Sequence, residues 1–299
     1  MRLLYNGLPY FTEKLVNELT TFDSKNQFVF LNTYQSKWAQ IKFLLSLPFC
    51  NKVISMNGVS DKSGSLSWAM RFKKPLIMQW QGTDVLLLRE RIENKAVLNT
   101  YLDYATHFTD APWLQKELDE LGIEAKLLSF KSLKPITTTT QYSEINILTY
   151  LGKGRESFYG WEVILEAMRS FQNIQLYVMG TDGEGLEKLP NITFLGWADK
   201  NQVIEHYKKC PIFVRMTEHD GYSLSIMEAL SYGLEVIWNN PHEKTLLATN
   251  SVELTKSIIQ LNEKITERQL QSNTENQNWI KENLDRDKVL KNYIETVTK

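Results

Sequence analysis

Two carboxylates, Asp220 and Glu228, flank a glycine-bearing turn in the stretch Phe213-Val-Arg-Met-Thr-Glu-His-Asp-Gly-Tyr-Ser-Leu-Ser-Ile-Met-Glu-Ala-Leu-Ser-Tyr-Gly-Leu-Glu-Val-Ile237. The stretch reads as strand, turn, helix, stop and strand. Pro211 to Val214 is a short apolar run, Asp220 and Gly221 make the turn, Ser223 or Ser225 caps the helix, and Gly233 ends it. A helix beginning there points unpaired N–H groups and the positive end of its dipole at the turn. Both favour a phosphate or diphosphate. Asp220 falls outside the first turn and Glu228 about two turns further in, so one acid would meet the phosphate-distal part of a ligand and the other its hydroxyls. A buried-strand-to-helix junction with Glu228 as a solvated helix residue fits the same pattern.

The elements that must hold these groups alternate. Apolar, strand-like runs occur at 2–5, 28–31, 53–55, 76–79, 107–109 and 126–128, with helical stretches between most of them. The pattern restarts after Pro135 and the threonine run 137–140, with runs at 145–150, 174–179, 192–195, 211–214, 234–238 and 252–254. Strands alternating with helices imply parallel sheets. The expected fold is therefore α/β, with a Rossmann-like domain over 1–140, the threonine run as linker, and a second over 141–277. Ligands of such sheets bind beyond the carboxyl ends of the strands, expected here in the cleft between domains.

The 299 residues carry 34 Lys and Arg against 35 Asp and Glu, with residues 1–140 at net +4 and the remainder at −5. That asymmetry falls well short of a nucleic-acid binder but suits an anionic membrane surface. Cys50 and Cys210 and the four histidines have no metal-ligand spacing. The opening Met-Arg-Leu-Leu-Tyr runs into a strand rather than a signal peptide, and no apolar run approaches the length of a membrane span. A reducing, cytoplasmic setting is expected, with any membrane contact peripheral at the inner face. The sequon at Asn191-Ile-Thr193 is then accidental.

The acidic pair and its turn resemble the signature of the family-4 retaining glycosyltransferases of the GT-B fold, the glycosyl transferases group 1. In that signature two glutamates enclose seven residues, with glycine and an aromatic after the first. The resemblance implies two Rossmann-like domains facing across a cleft and a hexosyltransferase-type enzyme. It implies that Asp220 contacts the transferred sugar, that Gly221, Tyr222, Ser223 and Leu224 hold the diphosphate, and that Glu228 binds the ribose. Aspartate stands for the first glutamate, and Ser223 for a second glycine.

Leu148-Thr-Tyr-Leu-Gly-Lys-Gly-Arg155, then Tyr159-Gly160, is similar to the family segment that brings an arginine and a lysine to the leaving diphosphate. Arg155 fits the arginine, whereas Tyr159 occupies the lysine position. Lys153 or Arg215 is the candidate replacement, because a departing anion needs a fixed cation when no metal takes part. Tyr177 to Thr181, with Gly180, and Phe194 to Trp197 resemble the turns that hold the nucleoside. Trp197 stands near the base or is a core residue at a strand end. In the first half, Lys74 to Asp84 resembles a family strand ending in histidine, glycine, a small residue and aspartate; Gln81 replaces the histidine and keeps hydrogen bonding without proton transfer. Asp84 is the preferred acid on this side, against the alternative that it caps the following helix. Gly7 matches a tight turn near the donor phosphates. Residues 109–123 look like the last helix of the first domain, and 278–299 like closing helices that return to it. Of the histidines, only His219 is expected to line the cleft.

The implied donor is a nucleotide-diphosphate sugar, with no cofactor and no metal, and the implied acceptor is a hydroxyl of a glycan or lipid-linked sugar. A noncatalytic GT-B subunit that binds a sugar nucleotide or glycan and supports a partner transferase is the alternative, motivated by the changes at Gln81, Tyr159 and Asp220. Residues 36–49, with Trp38, Ile41, Phe43, Leu44, Leu45 and Leu47 beside Lys37 and Lys42, form either a helix packed on its own core, the preferred reading, or one that docks at a membrane.

Overall fold

The computed structural model describes residues 1–34, 36–57, 64–95, 100–134 and 136–299. They form two compact units, the first of residues 1–132, 219–222 and 286–299, the second of residues 133–218 and 223–285.

The first unit is built on strands β1 (Arg2–Gly7), β2 (Gln27–Phe30), β3 (Lys52–Met56), β4 (Leu76–Trp80), β5 (Thr106–Thr109) and β6 (Ala125–Leu127). They pair in parallel in the order β2-β1-β3-β4-β5-β6. Helices α1 (Pro9–Phe22), α2 (Lys37–Ser46), α3 (Gly64–Arg71), α4 (Thr83–Glu93), α5 (Tyr101–Tyr104) and α6 (Pro112–Glu120) connect them. Successive side chains of a strand point to opposite faces, and both faces are covered. Leu4, Val53, Met78 and Trp80 join the core beneath α2 to α6, while Leu3, Tyr5, Ile54 and Ile77 join a separate core with Leu15 and Leu19 of α1.

The second unit contains β7 (Asn146–Tyr150), β8 (Gln175–Met179), β9 (Ile192–Gly196), β10 (Ile212–Arg215), β11 (Glu235–Trp238) and β12 (Leu246–Leu247). Their order, β12-β11-β10-β7-β8-β9, is that of a doubly wound nucleotide-binding sheet, with its reversal between β7 and β10. Helices α7 (Trp161–Met168), α8 (Lys200–Lys209), α9 (Leu224–Ser231), α10 (Ser251–Glu267) and α11 (Thr274–Asn283) accompany it. Trp161 and Ile164 of α7 and Leu254, Ile258 and Leu261 of α10 share one core with Ile147, Leu176, Val178 and Ile212. The last helix, α12 (Arg286–Val297), belongs to the first unit, where Leu290, Tyr293 and Val297 complete the core with α1.

Three expectations change. Residues 252–254 are helical, because Asn250 caps α10 by accepting from the Glu253 N–H; the last strand is instead Leu246–Leu247. The threonine run is not a loose linker. Thr140 exchanges hydrogen bonds with Ser272, Gln277 donates to the Thr138 carbonyl, and Tyr142 N–H donates to Leu270, so the segment belongs to the second unit from Leu133 on. Of the closing helices only α12 returns to the first unit.

Candidate functional site

In the first unit β1 ends at Gly7 (φ +122°), where a Cβ would come within 2.7 Å of the Met56 backbone at the end of β3. The Gln81 side-chain amide donates to the carbonyl of that same Met56 at 2.8 Å. Gln81 Oε1 and Asn6 Oδ1, both buried, have no hydrogen-bond partner among the described residues. The ends of β1 and β4, on either side of β3, therefore each hold an acceptor of the kind that a ligand hydroxyl would satisfy. Asp84 is turned to another task. Its carboxylate accepts from the N–H groups of Gln81, Gly82 and Val85 at 2.8–3.2 Å, so it ties down the turn into α4 as in the capping alternative.

The turn 219–222 groups with this unit. Gly221 lies so close that a Cβ there would collide with the Gln81 carbonyl oxygen, and a Cβ on Gly82 would sit 2.7 Å from the Gly221 nitrogen. Trp113 Nε1 donates to the Asp220 carbonyl at 2.8 Å, and its ring stacks on Tyr222 with centroids 6.0 Å apart. Lys131 Nζ donates to the Tyr222 carbonyl at 2.6 Å and pairs with Asp110 at 2.8 Å, both side chains buried. Burial raises the Asp110 carboxyl pKa and Lys131 pulls it back down. His219 Nε2 meets Glu117 at 3.0 Å. These anchors, Trp113, Glu117, Asp110 and Lys131, carry no signature in the sequence, because their contacts to the turn span about a hundred residues.

In the second unit Ser223 precedes α9, but its hydroxyl lies 3.0 Å from that of Ser225 and makes no capping bond to the helix backbone. The expected serine cap is absent because the two hydroxyls satisfy each other. The first turn at Leu224 thus keeps its N–H groups for another acceptor. Glu228 is half-buried in α9. It lies beside the hydroxyl of Tyr207, whose pKa is held well above the ordinary tyrosine value, first by burial and then by the Glu228 charge.

Arg215, at the end of β10, lies over the ring of Tyr159 at 5.4 Å. The ring is fixed edge-on to Tyr150 at 5.5 Å and presses within 2.9 Å of where a Gly152 Cβ would be. The tyrosine at the family's lysine position thus provides the surface on which an arginine rests. Arg155 is exposed and lies 4.2 Å over Phe158. Lys153 is engaged by Asp182 at 2.7 Å, both ends largely exposed, which leaves Arg215 the better candidate for the replacement cation. Gly180 and Gly196 join their two turns through Gly180 N–H to Gly196 O at 2.8 Å. Trp197 beside them is 81 % exposed, which excludes the core reading.

Residues 145–263 match the family described as Glycosyl transferases group 1. No curated protein matches the sequence. Among solved structures, HepE from Anabaena, in complex with UDP and glucose, is similar at 12% identity over 100% of this chain and 99% of that one, with TM-score 0.71. Sucrose-phosphate synthase from Thermosynechococcus elongatus is similar at 11% identity, covering 100% and 98%, TM-score 0.71. The apo form of the lipopolysaccharide outer core galactosyltransferase WaaB is similar at 14%, covering 99% and 100%, TM-score 0.63. Residues 145–263 are therefore similar to the group 1 glycosyl transferases, within a chain of two parallel sheets that has the GT-B fold.

Proposed function

We propose that this protein transfers a sugar from a nucleoside-diphosphate donor to a hydroxyl of a glycan or lipid-linked acceptor, with retention at the anomeric carbon. The observation that carries the reading is the uncapped start of α9 after β10, inside the segment that matches the glycosyl transferase family. Its N–H groups at Ser223 and Leu224, with Arg155 and Arg215, take the diphosphate; Glu228 takes the ribose hydroxyls. Trp197 and the Gly180 turn receive the nucleoside. Asp220 and Gln81 address the sugar, with Asp84, Gly7, Gly221 and Tyr222 shaping the turns around them.

In the reaction the bond from the anomeric carbon to the diphosphate oxygen breaks. The acceptor oxygen bonds to the same face, and its proton passes to the departing diphosphate. The cations serve where negative charge grows, on the leaving group. No protein nucleophile and no metal are invoked. HepE has been crystallised with UDP-glucose, so uridine donors are the first to try.

The test is hydrolysis of a panel of UDP-, GDP-, ADP- and CDP-sugars by the purified chain, with the first-formed anomer read by proton NMR. Turnover with retained configuration, lost in Asp220→Ala, is the expected result. Donor binding without turnover would instead favour a noncatalytic subunit, the reading motivated by the replacements at Gln81, Tyr159 and Asp220.

A further inference from the structure

Helix α2 is apolar on two opposite sides. Phe43 and Leu47 are buried in the core of the first unit, while Trp38 (72 % exposed), Ile41, Leu45 (66 %) and, in the following turn, Phe49 (71 %) stand in solvent. At about 100° per residue, Trp38, Ile41 and Leu45 fall within one narrow stripe roughly opposite Phe43 and Leu47. The preferred sequence reading, a helix packed on its own core, thus accounts for only one of its two apolar sides. On the neighbouring α3, Trp68, and just past its end Phe72, are each 40 % exposed. Isolated exposed apolar residues need no explanation, but a contiguous group of large ones on adjoining helices marks a surface that something covers.

The charge around this patch says what covers it. Lys37 and Lys42 flank the exposed stripe on its two sides, and Arg71 lies 4.8 Å over the Trp68 ring. Residues 24–80 contain eight Lys and Arg against the single acid Asp61, in a chain whose net charge is −1. Aromatic and aliphatic side chains ringed by lysine and arginine suit the boundary between anionic headgroups and acyl chains, where rings enter the interface and ammonium groups reach phosphates. Between the helices a cavity of about 660 Å³, lined by Tyr34, Lys37, Ile41, Leu44 and Trp68 among others, gives an acyl chain or lipid-linked group somewhere to enter. No helix among the described residues is long and apolar enough to cross a membrane, so this contact lies on the surface.

We propose that the α2–α3 face is a docking surface for an anionic lipid bilayer. The inference goes beyond the transfer reaction and does not require it. It is tested by cosedimentation of the full chain with vesicles of phosphatidylcholine, with and without about 30 mol % phosphatidylglycerol. Wild type is expected to bind the anionic vesicles at least about tenfold more tightly than the neutral ones, with binding that weakens as salt rises. Both Trp38→Ser/Leu45→Ser/Phe49→Ser and Lys37→Glu/Lys42→Glu are expected to lose that binding while keeping the wild-type melting temperature and any nucleotide-induced thermal shift. Absence of binding to anionic vesicles, or equal binding by the triple serine variant, would overturn the proposal. So would a wild-type dimer in analytical ultracentrifugation that the triple variant dissolves, since a second copy of the chain would then be the occupant.

Discussion

Arg215→Gln removes the cation that rests on Tyr159 at the end of β10. If this guanidinium stabilises the departing diphosphate, the substitution forfeits one charge-assisted hydrogen bond, about 1.5–3 kcal/mol. That corresponds to a loss of roughly tenfold to 150-fold in kcat/KM for donor hydrolysis. Because negative charge on the leaving group grows as the bond breaks, kcat should fall more than KM rises. The ring beneath supplies a further separable effect. A cation over an aromatic face contributes about 0.5–2 kcal/mol, so Tyr159→Phe, which keeps the face, should behave nearly as wild type, whereas Tyr159→Ala should lose part of the Arg215 effect by releasing the guanidinium. The informative variant is the double one: Tyr159→Lys in the Arg215→Gln background returns a cation to the position where the family carries it and should recover part of the lost rate. The assay is release of nucleoside diphosphate from the best donor of the panel, with thermal melts confirming that each variant is folded. Arg215→Gln with activity within about twofold of wild type would refute the reasoning, since a contact of this kind cannot be so small.

Two further outcomes follow from buried groups of the first unit. Lys131→Met leaves Asp110 buried without its cation and removes the bond to the Tyr222 carbonyl, so urea unfolding should show a loss of about 3–5 kcal/mol; Asp110→Asn added to it should restore part of that loss. His107 accepts from Trp80 Nε1 at Nδ1 and contacts the Leu102 carbonyl through Nε2, an arrangement that requires the neutral ring, and burial depresses its pKa. A histidine with a depressed folded-state pKa contributes stability that is present above its unfolded value, about 6.5, and is lost as pH falls through the folded one. The melting temperature should therefore decline as pH falls below about 6.5, and His107→Leu, though less stable at neutral pH, should show a flatter profile there.

Most of the sheet architecture was legible because strands of a parallel sheet are short apolar runs that stand out from the helices between them. Ten of the observed strands overlap runs that are plain from Leu3-Leu4 through Phe213-Val214, and β11 is equally clear. The last strand was not, since Val252 to Leu254 has strand composition but lies directly after the helix-capping Asn250. Local patterning likewise cannot tell which unit a segment joins. The threonine run was assigned by its composition, whereas its backbone bonds to residues 270–272 decide its place. At the candidate site the residue types and turns were readable, but their partners were not. Nothing near Asp84 in the sequence distinguishes a reacting acid from one that binds three backbone N–H groups. Arg215 was readable as a candidate replacement for the lysine missing at Tyr159, but that the Tyr159 ring itself carries its guanidinium was not. For α2 the sequence left packing on its own core and docking at a membrane both open, because composition does not say that its apolar residues divide between a buried side and an exposed one.

The central claim, a sugar-nucleotide site at the start of α9, is tested most directly by thermal shift of the purified chain with UDP, GDP, ADP and CDP and their sugars, repeated with Glu228→Ala. A ligand that binds only the folded state raises its stability by about 2.7 kcal/mol at a hundredfold excess over Kd, a readily measured rise in melting temperature. The account predicts that nucleotides of one base stabilise the wild type and that the shift disappears in Glu228→Ala. No shift with any nucleotide, or an equal shift in the variant, would contradict it.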